Sequence, residues 1–313
     1  MRSLLLAAAA FGFIASTAAA SAQTFSFTTL DNPGDPTFNQ LLGINDSGTI
    51  VGYFGSGAAG HPNIGYQIKA PYTQYTPVMQ PGSVQTQATG INNAGTVTDF
   101  WSPTNLGAND QGAPQDANFG AVRELVGKNF GFIDATNPLT GGLPQADQAL
   151  GINNNNVVAG FYFDANGNSH GYTYSLSTSA YAPITVAGSM NVAATGINDN
   201  GQVCGFFMTG KGNTLGFVKN VSGGVVTHFS VPHTNTTQLL GINNEGVAVG
   251  FFADANNIQH GLYYVPATGA WTQVDDPNGV GGTVLNGINN KGQLVGFYTD
   301  AAGNVHGMLV TVQ

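Results

Sequence analysis

Apolar residues along this chain fall into short runs, alternating or continuous, each bounded by Gly, Pro, Asn or Asp. Runs of that length and punctuation read as strands, and no helical period of useful length is present. Residues 191–231 show the parts clearly: "AATGIN", "QVCGFF", "TLGFVKN" and "GVVTHFSV" are separated by turn residues. Four strands per unit follow, here designated a to d from the inside outward.

The stem Gly-Ile-Asn recurs at 43, 90, 151, 196, 241 and 287, with spacings of 47, 61, 45, 45 and 46 residues. A strand-rich period near that length is the mark of a β-propeller blade. Six stems predict an all-β, six-bladed β-propeller with four-stranded antiparallel blades. Strand a, which carries the stem glycine, is placed innermost, because strands crowd most there and a residue without a Cβ permits close approach. "TFSFTTLDNPG" reads as a lone strand d, and "HGMLVTVQ" stops after a strand c. Pairing the two would complete the sixth blade and close the ring, which removes an exposed edge.

Five residues after each stem glycine stands Gly48, Gly95, Asn156, Gly201, Gly246 or Gly292. The pattern fits a hairpin loop made of a type I turn followed by a residue at positive φ. Asn156 obeys the rule, since Asn is the non-glycine residue that best tolerates that conformation. The stem residues Asn45, Asn92, Asn153, Asn198, Asn243 and Asn289 can bond the turn backbone through their side chains. The recurrent stem therefore reads as turn chemistry.

Together with His-Gly-Tyr at 170, His-Gly-Leu at 260 and His-Gly-Met at 306, the Gly-Ile-Asn-x-x-Gly stems resemble the bacterial extracellular HAF repeats, named for a His-Ala-Phe triplet. The resemblance covers nearly everything after residue 22. Gly replaces the triplet's Ala, and Leu215 stands where the fourth repeat would have His. It implies export and a repeat-built β fold, and it supplies no catalytic residues.

Export has its own signal. Arg2, an apolar stretch and Ala20-Ser21-Ala22 have the form of a secretory signal peptide over residues 1–22, leaving one domain over 23–313, in the periplasm or outside the cell. No later stretch approaches the ~20 consecutive apolar residues of a membrane span. A net charge of −9 with seven Lys and Arg disfavours nucleic acid and anionic membrane surfaces as partners. Cys204 is the sole cysteine, so no intramolecular disulfide is expected; its apolar neighbours mark it as a core residue.

Candidate chemistry is sparse. "GSGAAG" at 55–60 matches a phosphate-loop pattern but opens no helix, so the helix N-terminus that such a loop needs is missing. His61, His170, His260 and His306 fall in b-to-c connections of different blades, where each is expected to pack or hydrogen-bond beside strand c. Asp164, Asn166 and Asn168 have the alternate spacing of a calcium loop, yet the required glycine and bidentate Glu are absent. No cofactor is expected, with calcium the one left open. Two glutamates and no Gly-x-Ser-x-Gly leave little for catalysis.

The second repeat breaks symmetry. Where the others have Gly52, Gly160, Gly205, Gly250 and Gly296 in strand b, it has Asp99, then Phe100 and Trp101. A long b-to-c insertion (102–118) follows, and the connection at 136–147 is also long. Asp99, Trp101, Asp110, Asp116, Arg123 and Glu124 are the candidate ligand-binding residues, on loops that a rigid scaffold would present. Arg123 or Lys128 is the expected partner of Asp99, whose presence fits drift in a tolerant loop as well as function. The reading is a binding or interaction module for a carbohydrate or an extracellular protein. The alternatives are a hydrolase or lyase with carboxylates at the channel mouth and a structural envelope protein.

Overall fold

β-Branched and aromatic runs such as "IVGYF" and "QVCGFF" are buried on both faces, as strands sandwiched between neighbouring sheets must be. The outermost strands are the reverse: "AWTQ" is exposed throughout. Where burial is described, that gradient orders the sheets from inside to outside. The computed structural model describes residues 23–106, 118–124, 130–131 and 146–313.

β1 (Phe25–Thr29) comes first and stands apart from its neighbours in sequence. The first unit is β2 (Asn39–Ile44), β3 (Ile50–Phe54), β4 (Ile64–Ile68) and β5 (Tyr75–Pro77). The second is β6 (Gln85–Ile91), β7 (Thr96–Ser102), β8 (Phe119–Glu124) and β9 (Phe130–Gly131). The third is β10 (Ala146–Ile152), β11 (Val157–Phe163), β12 (Ser169–Ser175) and β13 (Ala180–Ile184). The fourth is β14 (Val192–Ile197), β15 (Gln202–Met208), β16 (Thr214–Asn220) and β17 (Thr227–Phe229). The fifth is β18 (Thr236–Ile242), β19 (Ala248–Ala253), β20 (Gln259–Val265) and β21 (Ala270–Gln273). β22 (Gly282–Ile288), β23 (Gln293–Thr299) and β24 (Val305–Val312) form the last sheet with β1, which pairs antiparallel to β24 from Phe25–Val312 to Thr29–Met308. One parallel pairing, Thr214 with Thr236, joins the fourth and fifth units. No helix occurs among the described residues.

Every inner strand is bulged just before its stem glycine, as between Leu41 and Gly43. The stem glycines then meet their counterparts in the next unit. A Cβ on Gly43 would stand 2.9 Å from the Gly90 Cα, and one on Gly287 would stand 3.3 Å from the Gly43 Cα. Side chains fill the seams between units; Val51 and Val78 of the first unit pack against Ala88, Ile91 and Val97 of the second.

The hairpins after the inner strands are held as turn chemistry demands. Gly48, Gly95, Asn156, Gly201, Gly246 and Gly292 have φ of 77°, 86°, 57°, 74°, 80° and 74°. Asn45 Oδ1 accepts the N–H groups of Ser47 and Thr49, and the other stem asparagines bond alike. Their amide nitrogens reach across the seams as well: Asn45 donates to the Asn92 carbonyl, Asn92 to that of Asn153, and Asn289 back to that of Asn45.

Candidate recognition face and its buried carboxylates

The b-to-c and d-to-a connections emerge at one end of the sheets and the a-to-b hairpins at the other. Innermost strands from all six units line a central cavity of about 160 Å³, walled by stem glycines and isoleucines. At the hairpin end it narrows to a girdle. The backbone N–H of Asp46 donates to Asn93 Oδ1, Asn93 to Asn154, Asn154 to Asp199, Asp199 to Asn244, Asn244 to Asn290, and Asn290 back to Asp46, all at 2.7–2.9 Å. Asp46 Oδ2 accepts the amides of Asn93 and Asn290; Asp199 Oδ2 accepts those of Asn154 and Asn244. Burial works against the Asp46 charge, but these amides and nearby Lys291 leave its pKa lowered. Among the described residues these are the carboxylates lining the cavity, at the end opposite the long insertion, with their oxygens occupied.

Asp99 owes its place to a size exchange across the sheet. Gly52 is registered opposite Tyr66, Gly160 opposite Tyr172, Gly205 opposite Phe217, Gly250 opposite Leu262 and Gly296 opposite Met308. A Cβ on Gly160 would stand 2.6 Å from the Tyr172 hydroxyl, and one on Gly205 2.9 Å from Phe217 Cε1. In the second unit the small residue is Ala121, and Asp99 faces it. A drifting surface loop is therefore the wrong description: Asp99 is fully buried, in space that a large side chain fills elsewhere. Its hydrogen-bond partner also differs from expectation. Gln80 Nε2 donates to Asp99 Oδ2 at 2.8 Å, while Arg123 acts on it through its charge and Lys128 lies outside the described residues. Asp99 Oδ1 and Gln80 Oε1 have no partner. Burial pushes the Asp99 carboxyl up to about 7, against the Gln80 hydrogen bond and the Arg123 charge.

A second buried acid, Asp147, escaped the sequence reading. It stands four residues before Gly151, where other units place Asn39, Thr86, Val192, Thr237 and Thr283. Asn39, Thr86, Thr237 and Thr283 accept the N–H of the incoming d-to-a turn, from Asn32, Gln80, Val231 and Asp276. The recurring polar residue at that offset was the available signal. Asp147 Oδ1 accepts the Tyr172 hydroxyl at 2.8 Å, Oδ2 has no partner, and burial pushes this carboxyl up to about 7 as well.

Trp101 is half-buried, its ring 5.1 Å from that of Phe119. Beside it, Asn63, Gln85, Gln87, Phe100 and Asn118 border a small cavity of about 20 Å³. Asn63 organises this corner: its N–H donates to Gln85 Oε1, its amide nitrogen to the Gly55 carbonyl, and its Oδ1 accepts from Gln87 Nε2. Arg123 lies on β8 near Asp99, and Glu124 ends that strand opposite Thr96. Asp110 and Asp116 lie outside the described residues, as do 107–117 of the insertion and most of 136–147.

The calcium-like spacing resolves into a closed turn. Asp164 Oδ1 accepts the N–H groups of Asn166 and Asn168, and Oδ2 takes the Asn168 amide nitrogen and His170 Nε2. The His170 hydrogen bond is the foremost reason that the Asp164 pKa falls. Among the described residues no three His, Cys, Asp or Glu side chains are grouped to hold a metal. His306 carries the same device further. Its Nδ1 lies 2.7 Å from Asp31, just past β1, and its Nε2 lies 3.2 Å from Asp300. Two carboxylates can only accept, so the arrangement calls on both ring nitrogens to donate and favours the imidazolium. Burial opposes that charge, and the Asp31 and Asp300 hydrogen bonds outweigh it to raise the pKa. His260 Nδ1 lies 2.7 Å from Asp275 Oδ2. The repeated "LDNPG" and "VDDPNG" segments, which follow outermost strands, were the signal for these pairs.

No family model matches the chain, and no curated protein matches it in sequence. Among solved structures it is similar to TolB from Acinetobacter baumannii, with a TM-score of 0.54 and 12% identity over 90% of this chain and 66% of that one. A TolB-type structure from Agrobacterium tumefaciens gives 0.54 and 10% identity over 93% of this chain and 98% of that one. A mutant of AofleA from Arthrobotrys oligospora gives 0.50 and 11% identity over 93% and 92%. This chain thus spans about two thirds of the first of these and nearly all of the other two. Identities this low speak for architecture alone, and they agree with the sheets: the chain is an all-β repeat protein of the β-propeller kind.

Proposed function

We propose that the six units are the blades of one closed propeller, a single domain over 23–313 that is exported and acts as a binding module. The pairing of β1 with β24 and the unbroken girdle at the hairpin end support the closed ring. The HAF resemblance and the signal-like residues 1–22 support export.

Recognition is assigned to the face where the second blade departs from its repeat. One observation carries this: Trp101, packed at a tilt against Phe119, borders an amide-walled cavity beside the long insertion, above a buried carboxylate at a strand position where the other blades have glycine. An aromatic face with neighbouring amides suits a carbohydrate, whose rings offer C–H faces and hydroxyls, or a weakly charged protein surface. A hydrolase gains less support, since the described channel carboxylates, Asp46 and Asp199, are held by amides at the opposite end.

The test is a glycan array followed by calorimetry on the full chain, with Trp101→Ala as comparison and a calcium arm for the Asp164 loop. Binding that weakens at least tenfold in Trp101→Ala supports the assignment. Glycan binding unaffected by that change would move the site elsewhere, and binding to no glycan would favour a protein partner or a structural role.

A further inference from the structure

Two unpartnered acceptors belong to one hydrogen-bonded pair. Gln80 donates through Nε2 to Asp99 Oδ2, yet Gln80 Oε1 and Asp99 Oδ1 are both buried without a donor. An ionised carboxylate has no hydrogen to give, and a primary amide has already turned its nitrogen to the other oxygen. A buried orphan acceptor is costly, and two in one pair are improbable in a settled structure. One proton satisfies both. Placed on Oδ1, it gives the pair the donor that it lacks, as in the two-point pairing of a carboxylic acid with an amide.

We propose that Asp99 and Gln80 form a neutral acid–amide latch that holds the 78–84 connection against β7 beneath the recognition face and loosens as pH rises. Its bearing on ligand binding rests on the function proposed above; the latch itself does not. Gln80 is the anchor of that connection. Its N–H donates to Thr86 Oγ1, and its carbonyl accepts from both the N–H and the hydroxyl of Ser83. Val84 then donates to the Ser102 carbonyl, and the next residue, Gln85, spans Asn63 and the Thr104 carbonyl beside Trp101. Turning the Gln80 side chain therefore acts on the amide corner.

The surroundings favour the neutral form. On this face β6 offers Thr86 and Ala88, and the first unit offers Val51, Val78 and Tyr53, the last a phenol that burial keeps protonated. From β8 come Ala121 and Arg123, whose charge pulls the other way. Asp147 lies behind the opposite face of the second unit, against Gly120. Burial prevails, and the carboxyl is held near 7. Above that pH the proton leaves, and the pair is left with two buried acceptor oxygens and no further donor.

Two measurements on the full chain test this. The carboxyl ¹³C resonance of Asp99 should stay in its protonated position at about pH 5.5 and titrate more than about one unit above an ordinary aspartate. Hydrogen exchange at Val84 and Thr86, corrected for the intrinsic rate, should lose at least about tenfold protection between about pH 6 and pH 8. In Asp99→Asn, which supplies an N–H to Gln80 Oε1 at every pH, the protection should stay flat. An ionised Asp99 at pH 5.5, or an equal pH dependence in wild type and variant, overturns the latch. Neither readout uses a ligand, so a failed glycan assay bears on the function alone.

Discussion

The exchange of Asp99 and Ala121 for the usual glycine and large residue makes a quantitative claim about coupling. Consider Asp99→Gly and Ala121→Tyr, singly and together, which return the second unit to the arrangement of Gly160 with Tyr172. Ala121→Tyr alone drives a ring against a residue that has a Cβ, where even a lone Cβ would stand 2.6–2.7 Å from the Tyr172 ring and hydroxyl in the third unit. Overpacking of that kind costs about 1–3 kcal/mol, and displacing Asp99 from Gln80 adds about 1 kcal/mol. Asp99→Gly alone empties the same space and strands Gln80 Nε2. The void and the orphan donor cost roughly 2–3 kcal/mol, partly offset by removing a carboxyl that burial disfavours. In the double variant the ring occupies the space that glycine vacates, so both steric penalties disappear and mainly the Gln80 loss remains. The expected coupling is about 2–4 kcal/mol in favour of the double variant. Urea denaturation of the four proteins at about pH 6 measures it. Additivity within about 0.5 kcal/mol would refute the size-exchange reasoning.

Other consequences are as direct. Gly201→Val should lower stability by more than about 1 kcal/mol, read as a fall in denaturation midpoint, because Gly201 sits at φ 74° where a β-branched residue is strained. Asp147 holds a proton in the fold up to about pH 7 that the unfolded chain has already released above its ordinary pKa of 3.8. Stability on its account therefore falls as pH rises across that window, and Asp147→Asn should raise the thermal midpoint at pH 8 more than at pH 4. His306 has a raised folded pKa, so its contribution is complete below the unfolded value of 6.5 and is lost as pH rises through the folded one. His306→Gln should destabilise at pH 5.5 and much less at pH 9, seen in thermal unfolding; an equal loss at both would remove the ionic account.

Local chemistry explains which parts of the molecule could be read in advance. The stem positions report themselves because a turn at positive φ admits so few residues that Gly48 and Asn156 look alike at a glance. The a-to-d order could be inferred for a similar reason, since β2 and its counterparts need a glycine where the next unit touches. Partners across a seam leave no such trace. Gln80 lies 19 residues from Asp99 in a pairing that no other unit repeats, and Asp31 lies 275 from His306, so that only the segment it shares in pattern with Asp275 hints at the pair. Asp99 was visible as an anomaly, but its burial depended on the size of Ala121, a residue unremarkable by itself. Asp147 was missed because its position tolerates Asn, Thr and Val in other units, which hides an acid among ordinary variation.

The girdle at the hairpin end runs Asp, Asn, Asn, Asp, Asn, Asn around its circuit. Its first half therefore repeats in its second, with each carboxylate gripping an amide on either side. A chain cut to three consecutive units would keep two of these links and present a spare N–H at one end and a spare oxygen at the other. Those ends complement each other, so a second copy would complete the circuit under two-fold symmetry. The girdle is thus two self-complementary halves, each written in three short side chains.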